Sequence, residues 1–182
     1  MVMLRRTLLF SALCSIAFGI SGPLAGSSAF AANLEVGRPA PGFDLPSSQG
    51  KSLKLADFRG KWLVLYFYPA NFTPGCTIEA RKFQNDITKY EALNAQVLGV
   101  SADSIESHKK FCNLVGLKFP LVSDQKETLA KQYQSEGGQR STFLIDPQGK
   151  LRQTFILVNP FRHSEEVLDA LKKIQGVAKA AK

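Results

Sequence analysis

Three cysteines among 182 residues are too few for a disulfide-dense scaffold, and no pair of them has the C-x-x-C spacing of a disulfide-exchange site. The chain lacks an apolar run of the roughly 20 residues that a membrane-spanning helix needs. Its N-terminal uncharged stretch, Thr7 to Ile20, has 14. Only two histidines occur, His108 and His163, without the paired spacing of metal ligands, so no metal is expected. Each reads as a residue of a solvated helix or of its entrance. Neither a glycine-rich phosphate loop nor a dinucleotide fingerprint is present, which leaves no expectation of a bound nucleotide, flavin or nicotinamide. Lys and Arg outnumber Asp and Glu by 23 to 15, yet no block of five like charges appears. Nucleic acid therefore finds little support as a partner, because counterion release requires cations clustered on one face. No internal repeat is visible, and the only biased stretch is the Ala/Lys tail from Val177 to Lys182.

What remains is the composition of one ordinary soluble domain, 45% apolar and 21% charged. Its first residues follow the order of an export signal. Arg5 and Arg6 precede the uncharged stretch, Ser21-Gly22-Pro23 breaks it, and Ala29-Phe30-Ala31 supplies small residues at the −3 and −1 positions. Residues 1–31 are thus expected to be a cleaved signal peptide and residues 32–182 the mature domain. Arg5-Arg6-Thr7-Leu8-Leu9 also resembles a twin-arginine core, although Leu4 stands where a polar residue is usual, so the export route stays open. Cleavage removes Cys14 and two arginines, leaving Cys76, Cys112 and 21 basic against 15 acidic side chains.

The mature chain alternates strand and helix signals. Phe43–Leu45 and Ser52–Leu55 flank the turn-rich Ser47-Ser48-Gln49-Gly50 and predict a β-hairpin. Trp62–Tyr68 carries no charge and has strong β preference, the pattern of a strand buried on both faces. Phe83, Ile87 and Tyr90 share one helical face. Gln96–Ser101 is the next strand, and Asp103-x-x-Glu106 has the spacing of a capping box opening a helix to about Val115. Phe119–Val122 reads as a strand and Lys126–Gln132 as a short helix. Ser141–Ile145 and Leu151–Leu157 flank Asp146-Pro147-Gln148-Gly149 as a second hairpin. Ser164 is expected to cap a final helix, with Glu165 and Glu166 in its first turn. The sum is an α/β or mixed-sheet sandwich.

The chemistry concentrates directly after the buried strand, in Pro69-Ala70-Asn71-Phe72-Thr73-Pro74-Gly75-Cys76. Thr73 suits an N-cap and Pro74 the first helical position, where its missing N–H costs nothing. Cys76 then falls in the first turn, beside unpaired backbone N–H groups that favour a negative sulfur. A buried structural cysteine would be oddly placed after Thr-Pro-Gly at a helix entrance.

Pro69-x3-Thr73-x2-Cys76 resembles the active-site motif of the peroxiredoxins, and Thr73 to Ala80 resembles their bacterioferritin-comigratory-protein or PrxQ branch. Gln139 to Asp146 is similar to the segment carrying that family's active-site arginine, and the likeness runs from about Val36 to Gln175. The resemblance implies a thioredoxin-like sandwich, a central mixed sheet flanked by helices with an N-terminal β-hairpin extension. It implies thiol-dependent reduction of hydrogen peroxide and alkyl hydroperoxides, with no cofactor. On these positions it makes Cys76 the nucleophile that becomes a sulfenic acid. Arg140 would favour the thiolate and hold the peroxide oxygen, the Thr73 hydroxyl would align sulfur and peroxide, and Pro69 would shield the thiolate from water. Glu79 matches the family's Thr-x-Glu stretch, and a solvated first-turn acid explains it equally well.

Many members of the branch resemble one another in a second cysteine five residues after the first, where this chain has Arg81. A subset carries its resolving cysteine on a later helix, which points to Cys112 and a Cys76–Cys112 intramolecular disulfide. Two alternatives stay open. One is a one-cysteine enzyme whose Cys112 is a core residue. The other is an exported, disulfide-stapled binding domain. The resemblance further implies a thioredoxin or thioredoxin-like dithiol protein as reductant and a monomer. The signal implies a bacterial periplasm or thylakoid lumen, where a membrane-relayed dithiol would have to supply electrons.

Overall fold

A computed structural model describes residues 34–176. The expected signal peptide, residues 1–31, lies outside the described residues. Strand β3 (Trp62–Phe67) organises the rest. Its side chains alternate between faces, and both faces are covered. Leu63, Leu65 and Phe67 enter one core with Leu98, Val122, Phe143 and Tyr133. Val64, Tyr66 and Tyr68 enter the other, with Phe83, Tyr90, Phe111 and Leu171. Burial of each such side chain contributes roughly 1.5–3 kcal/mol, which is why an uncharged β-preferring run settles at the centre of the sheet.

That sheet has the order β5-β4-β3-β6-β7. β3 runs parallel to β4 (Ala95–Ser101), which runs parallel to β5 (Leu121–Ser123). On its other side β3 is antiparallel to β6 (Ser141–Ile145), which continues through the expected hairpin into β7 (Leu151–Ile156). The parallel half is linked by helices α1 (Pro74–Asn85), α2 (Ile87–Ala92) and α3 (Ile105–Val115), and α5 (His163–Ile174) closes the chain. The core under Tyr66 takes residues from all four. The opposite core is covered by the hairpin β1 (Asp44–Pro46) and β2 (Ser52–Lys54), a 3₁₀ turn at Leu55–Phe58, and α4 (Thr128–Gln132). This is the expected thioredoxin-like sandwich with its hairpin extension. At Gly99, opposite Tyr66 in the ladder, a Cβ would stand 2.8 Å from the tyrosine hydroxyl and 2.6 Å from Leu121, so only glycine lets the ring lie flat there.

Three local expectations need correction. Asp103 does not cap α3. The N-cap is Ser104, whose hydroxyl accepts from the Ser107 N–H at 3.3 Å. Asp103 instead accepts from Ser101, Ser107 and the Asn71 N–H. Ser164 is not the cap of α5 either. It lies inside the helix, whose N-cap is Arg162, and its hydroxyl donates to Asp86 at 2.7 Å. Phe83, Ile87 and Tyr90 do share one buried cluster, but the helix breaks at Asp86, so they belong to α1 and α2.

Candidate active site

The loop after β3 delivers Cys76 to the carboxyl edge of the parallel strands, where α/β sheets place their ligands. Thr73 is extended, Pro74 is the first residue of α1, and Cys76 is the third, so its N–H belongs to the unpaired first turn. The Thr73 hydroxyl does not cap the helix. It donates to Ala70 O at 3.1 Å, while the Thr77 N–H and hydroxyl both donate to Thr73 O. Thr73 thus braces the loop, and its hydroxyl oxygen keeps a free accepting side.

Arg140 enters from the turn before β6. One arm of the guanidinium, Nη2, donates to Cys76 Sγ at 3.4 Å, and the other, Nη1, donates to Glu79 Oε2. Glu79 follows Cys76 by three residues, so both side chains rise on one helical face toward the same arginine. Its carboxylate is 1% exposed and its second oxygen has no protein partner. Burial pushes the Glu79 carboxyl up to about 7, although the Arg140 charge and hydrogen bond pull the other way. For Arg140 burial opposes the charge, but Glu79 and Cys76 outweigh it and hold the guanidinium above its ordinary value. Burial dominates at Glu79 because the carboxylate is the deeper partner of the pair. The Arg140–Glu79 bridge fixes the guanidinium fork so that one donor faces the sulfur. Pro69 is exposed on the rim, its Cβ 3.6 Å from where a side chain at Gly138 would begin, two residues before Arg140.

Both histidines correct the solvated reading: each is fully buried. His163 Nε2 pairs with the Thr142 hydroxyl at 2.7 Å, its ring packs edge-on to Phe83 and Phe155, and its Nδ1 has no protein partner. Burial, with the Arg140 charge second, pushes His163 down to about 4. His108 sits at the centre of a polar cluster with Tyr68, Asn71 and Ser107 beneath the Cys76 loop. Asn71 and Glu79 are the site residues to which sequence reasoning gave no role of their own. The i, i+3 spacing from Cys76 was the available signal for Glu79, whereas nothing local marks Asn71.

Among the described residues Cys76 and Cys112 are both free thiols. Cys112 is partly buried on α3, packed against the same core that contains Cys76. Burial pushes its thiol up, with the Ser48 hydroxyl pulling the other way. Ser48 Oγ also accepts from the Leu121 N–H on β5, whereas Cys76 is held by Arg140 beside β6. Those strands are three places apart in the sheet.

Residues 36–154 match the AhpC/TSA family. The chain is 42% identical over 147 residues to Peroxiredoxin Bcp of Xanthomonas campestris, covering 74% of this chain and 92% of that protein. It is 40% identical to a mitochondrial thioredoxin-dependent peroxide reductase of Drosophila melanogaster, over 87% of this chain and 74% of that one. The solved structure of the Xanthomonas campestris bacterioferritin comigratory protein, studied for alkyl peroxide reduction, superposes with a TM-score of 0.71 at 35% identity, covering 77% of this chain and 99% of that one. These likenesses show that the chain belongs to the AhpC/TSA family and is a thiol-dependent peroxiredoxin of its Bcp/PrxQ branch.

Proposed function

We propose that the protein reduces hydrogen peroxide and alkyl hydroperoxides at Cys76, that Cys112 resolves the product as an intramolecular disulfide, and that a thioredoxin-like dithiol protein reduces it. The observation that carries the reading is the Arg140 donor held on Cys76 Sγ at 3.4 Å. The guanidinium holds the sulfur at one donor, and the same fork receives the peroxide oxygen as charge develops on it. The Cys76 thiolate attacks the terminal peroxide oxygen and the O–O bond breaks. Cys76–SOH forms, and the alkoxide or hydroxide leaves and takes a proton. Thr73 aligns the peroxide through its free accepting side, and Pro69 closes the rim.

In the second step the Cys112 sulfur attacks Cys76–SOH, the S–S bond forms, and water leaves. Cys76 and Cys112 stand on different helices, and on this reading the Cys76 turn or the Cys112 helix unwinds to let the sulfurs meet. Gly116, in the left-handed conformation at the end of α3, gives that helix a ready stop from which to open. The Xanthomonas protein's link to alkyl peroxides and the thioredoxin dependence named for the Drosophila relative support the substrate and reductant. On the same reading, residues 1–31 are removed on export to a bacterial periplasm or thylakoid lumen. The mature chain then works as a monomer fed by a membrane-relayed dithiol.

The test is peroxide consumption coupled to thioredoxin and its reductase. Wild type is expected to turn over, Cys76→Ser to be inactive, and Cys112→Ser to complete a first turnover but lose thioredoxin-driven cycling. Peroxide consumption that survives Cys76→Ser would overturn the reading.

A further inference from the structure

Arg140 reaches Cys76 from the rear of a short turn, Ser135 to Arg140, that joins α4 to β6. At its tip Gly137 and Gly138 have φ of +70° and +73°. Two consecutive left-handed residues favour glycine, and glycine has the most backbone freedom to lose on folding. A turn of this composition keeps its rear end still only where its two ends are tied together.

Ser135 ties them. Its hydroxyl lies within hydrogen-bond distance of two groups, the Gln139 carbonyl at 3.4 Å and the Ser141 hydroxyl. A carbonyl only accepts, so the Ser135 hydroxyl donates to Gln139 O and the Ser141 hydroxyl donates to Ser135 Oγ. Both serines are buried, out of competition with bulk water. The Gln139 carbonyl belongs to the peptide that enters Arg140, and Ser141 is the residue that follows it. One hydroxyl therefore brackets the Arg140 backbone on both sides. Ser135 is itself anchored. Its N–H donates to Ala130 O of α4 at 2.8 Å. Two residues earlier, the Tyr133 hydroxyl donates to Pro41 O at 2.8 Å and its ring packs on Phe67 and Phe143. Ser141 is held from the other direction, opposite Phe67 of β3 and Ile156 of β7 in the sheet.

At the far end of the side chain the guanidinium meets Cys76 Sγ at 3.4 Å with one arm and Glu79 with the other. Glu79 sets which way the fork faces, but it does not set where the backbone that carries the fork stands. With both arms engaged, a shift of that backbone is taken up by strained side-chain torsions or by giving up one of the two contacts. We infer that Ser135 is a positioning residue for peroxide reduction: its hydroxyl closes the turn and holds the Arg140 backbone where the fork reaches both the Cys76 sulfur and the peroxide oxygen. Ser135 acts only through Arg140. The inference rests on peroxide reduction at Cys76.

The test is a stopped-flow measurement of the second-order rate constant with hydrogen peroxide in the first turnover. Ser135→Ala and Ser141→Ala are each made in wild type and in an Arg140→Lys background, where no planar fork remains to be positioned. In wild type Ser135→Ala is expected to lower the rate constant about three- to tenfold. In the Arg140→Lys background the same substitution should lower it no further, because two residues acting as one unit are not additive. A merely structural serine would instead cost the same factor in both backgrounds. That result, or a wild-type rate in Ser135→Ala, would overturn the inference while leaving Cys76 as the nucleophile. Should Ser135→Ala fail to fold, Ser141→Ala is read in the same way, with a smaller loss because Ser135 keeps Gln139 O. Cys76→Ser, run alongside, separates the two failures: if it still consumes peroxide, the reaction itself is misassigned and the inference falls with it.

Discussion

Arg140 lies so close to Gly75 that a Cβ on the glycine would meet Nη2 at 3.3 Å. The same nitrogen donates to Cys76 Sγ. Gly75 has no turn to make there; its bare backbone makes room for the cation. Gly75→Ala should displace the guanidinium by a few tenths of an ångström and lower the second-order rate constant with peroxide by about three- to tenfold, since reaction geometry tolerates little misplacement. Thermal stability should hardly change. Stopped-flow kinetics of the first turnover checks it, and a wild-type rate in the alanine variant would show that the contact is not needed.

The buried Glu79 carboxyl gives stability a pH dependence of known sign. Its folded value is raised, to about 7, above that of the unfolded chain. Its contribution is fully present below the unfolded value and is lost as pH rises through the folded one. Glu79→Gln removes this dependence. The stability of the glutamine variant relative to wild type should therefore climb between pH 5 and pH 8, by up to about 3 kcal/mol, whatever constant offset the substitution carries. Urea unfolding of both proteins at several pH values measures it. A flat difference would mean that the carboxylate is ionised throughout.

His163 works in the opposite direction. Burial and Arg140 lower it to about 4, so the unfolded chain takes up its proton first as pH falls below the ordinary histidine value. Its contribution is intact above about pH 6.5 and drains away toward pH 4, by up to about 3 kcal/mol. His163→Gln, which can keep the Thr142 contact through its side-chain amide, should abolish that acid loss. In wild type the two slopes oppose each other over the shared range, so the single variants, not the parent, reveal them. An unchanged acid limb in His163→Gln would sink the assignment.

Much of this fold was legible because it rests on local pattern. The uncharged run at Trp62–Phe67 announced a doubly buried strand, and the Asp146-Pro147-Gln148-Gly149 turn announced the β6–β7 hairpin. Cys76 and Arg140 were found because their neighbours carry a specific motif. The failures share one cause. Asp103 and Ser164 have cap chemistry at cap-like positions, but Asn71 and Asp86 compete for those side chains from 32 and 78 residues away. His108 and His163 looked like surface residues because isolated polar side chains usually are. Their partners, Asn71 and Thr142, lie 37 and 21 residues distant and are invisible to periodicity. A buried polar group is specified by its partners, and those partners come together only in the folded chain.

Oxidation of Cys76 by peroxide and its resolution by Cys112 leave a signature in mass and thiol content. The most direct measurement is intact mass and free-thiol count on residues 32–182, before and after one equivalent of hydrogen peroxide, for wild type, Cys76→Ser and Cys112→Ser. Wild type is expected to lose two thiols and about 2 Da as one S–S bond closes. Cys112→Ser should stop at a trappable sulfenic acid, and Cys76→Ser should not react. A sulfenic or overoxidised Cys76 beside a free Cys112 in wild type would contradict resolution, and two thiols indifferent to peroxide would contradict the catalytic assignment.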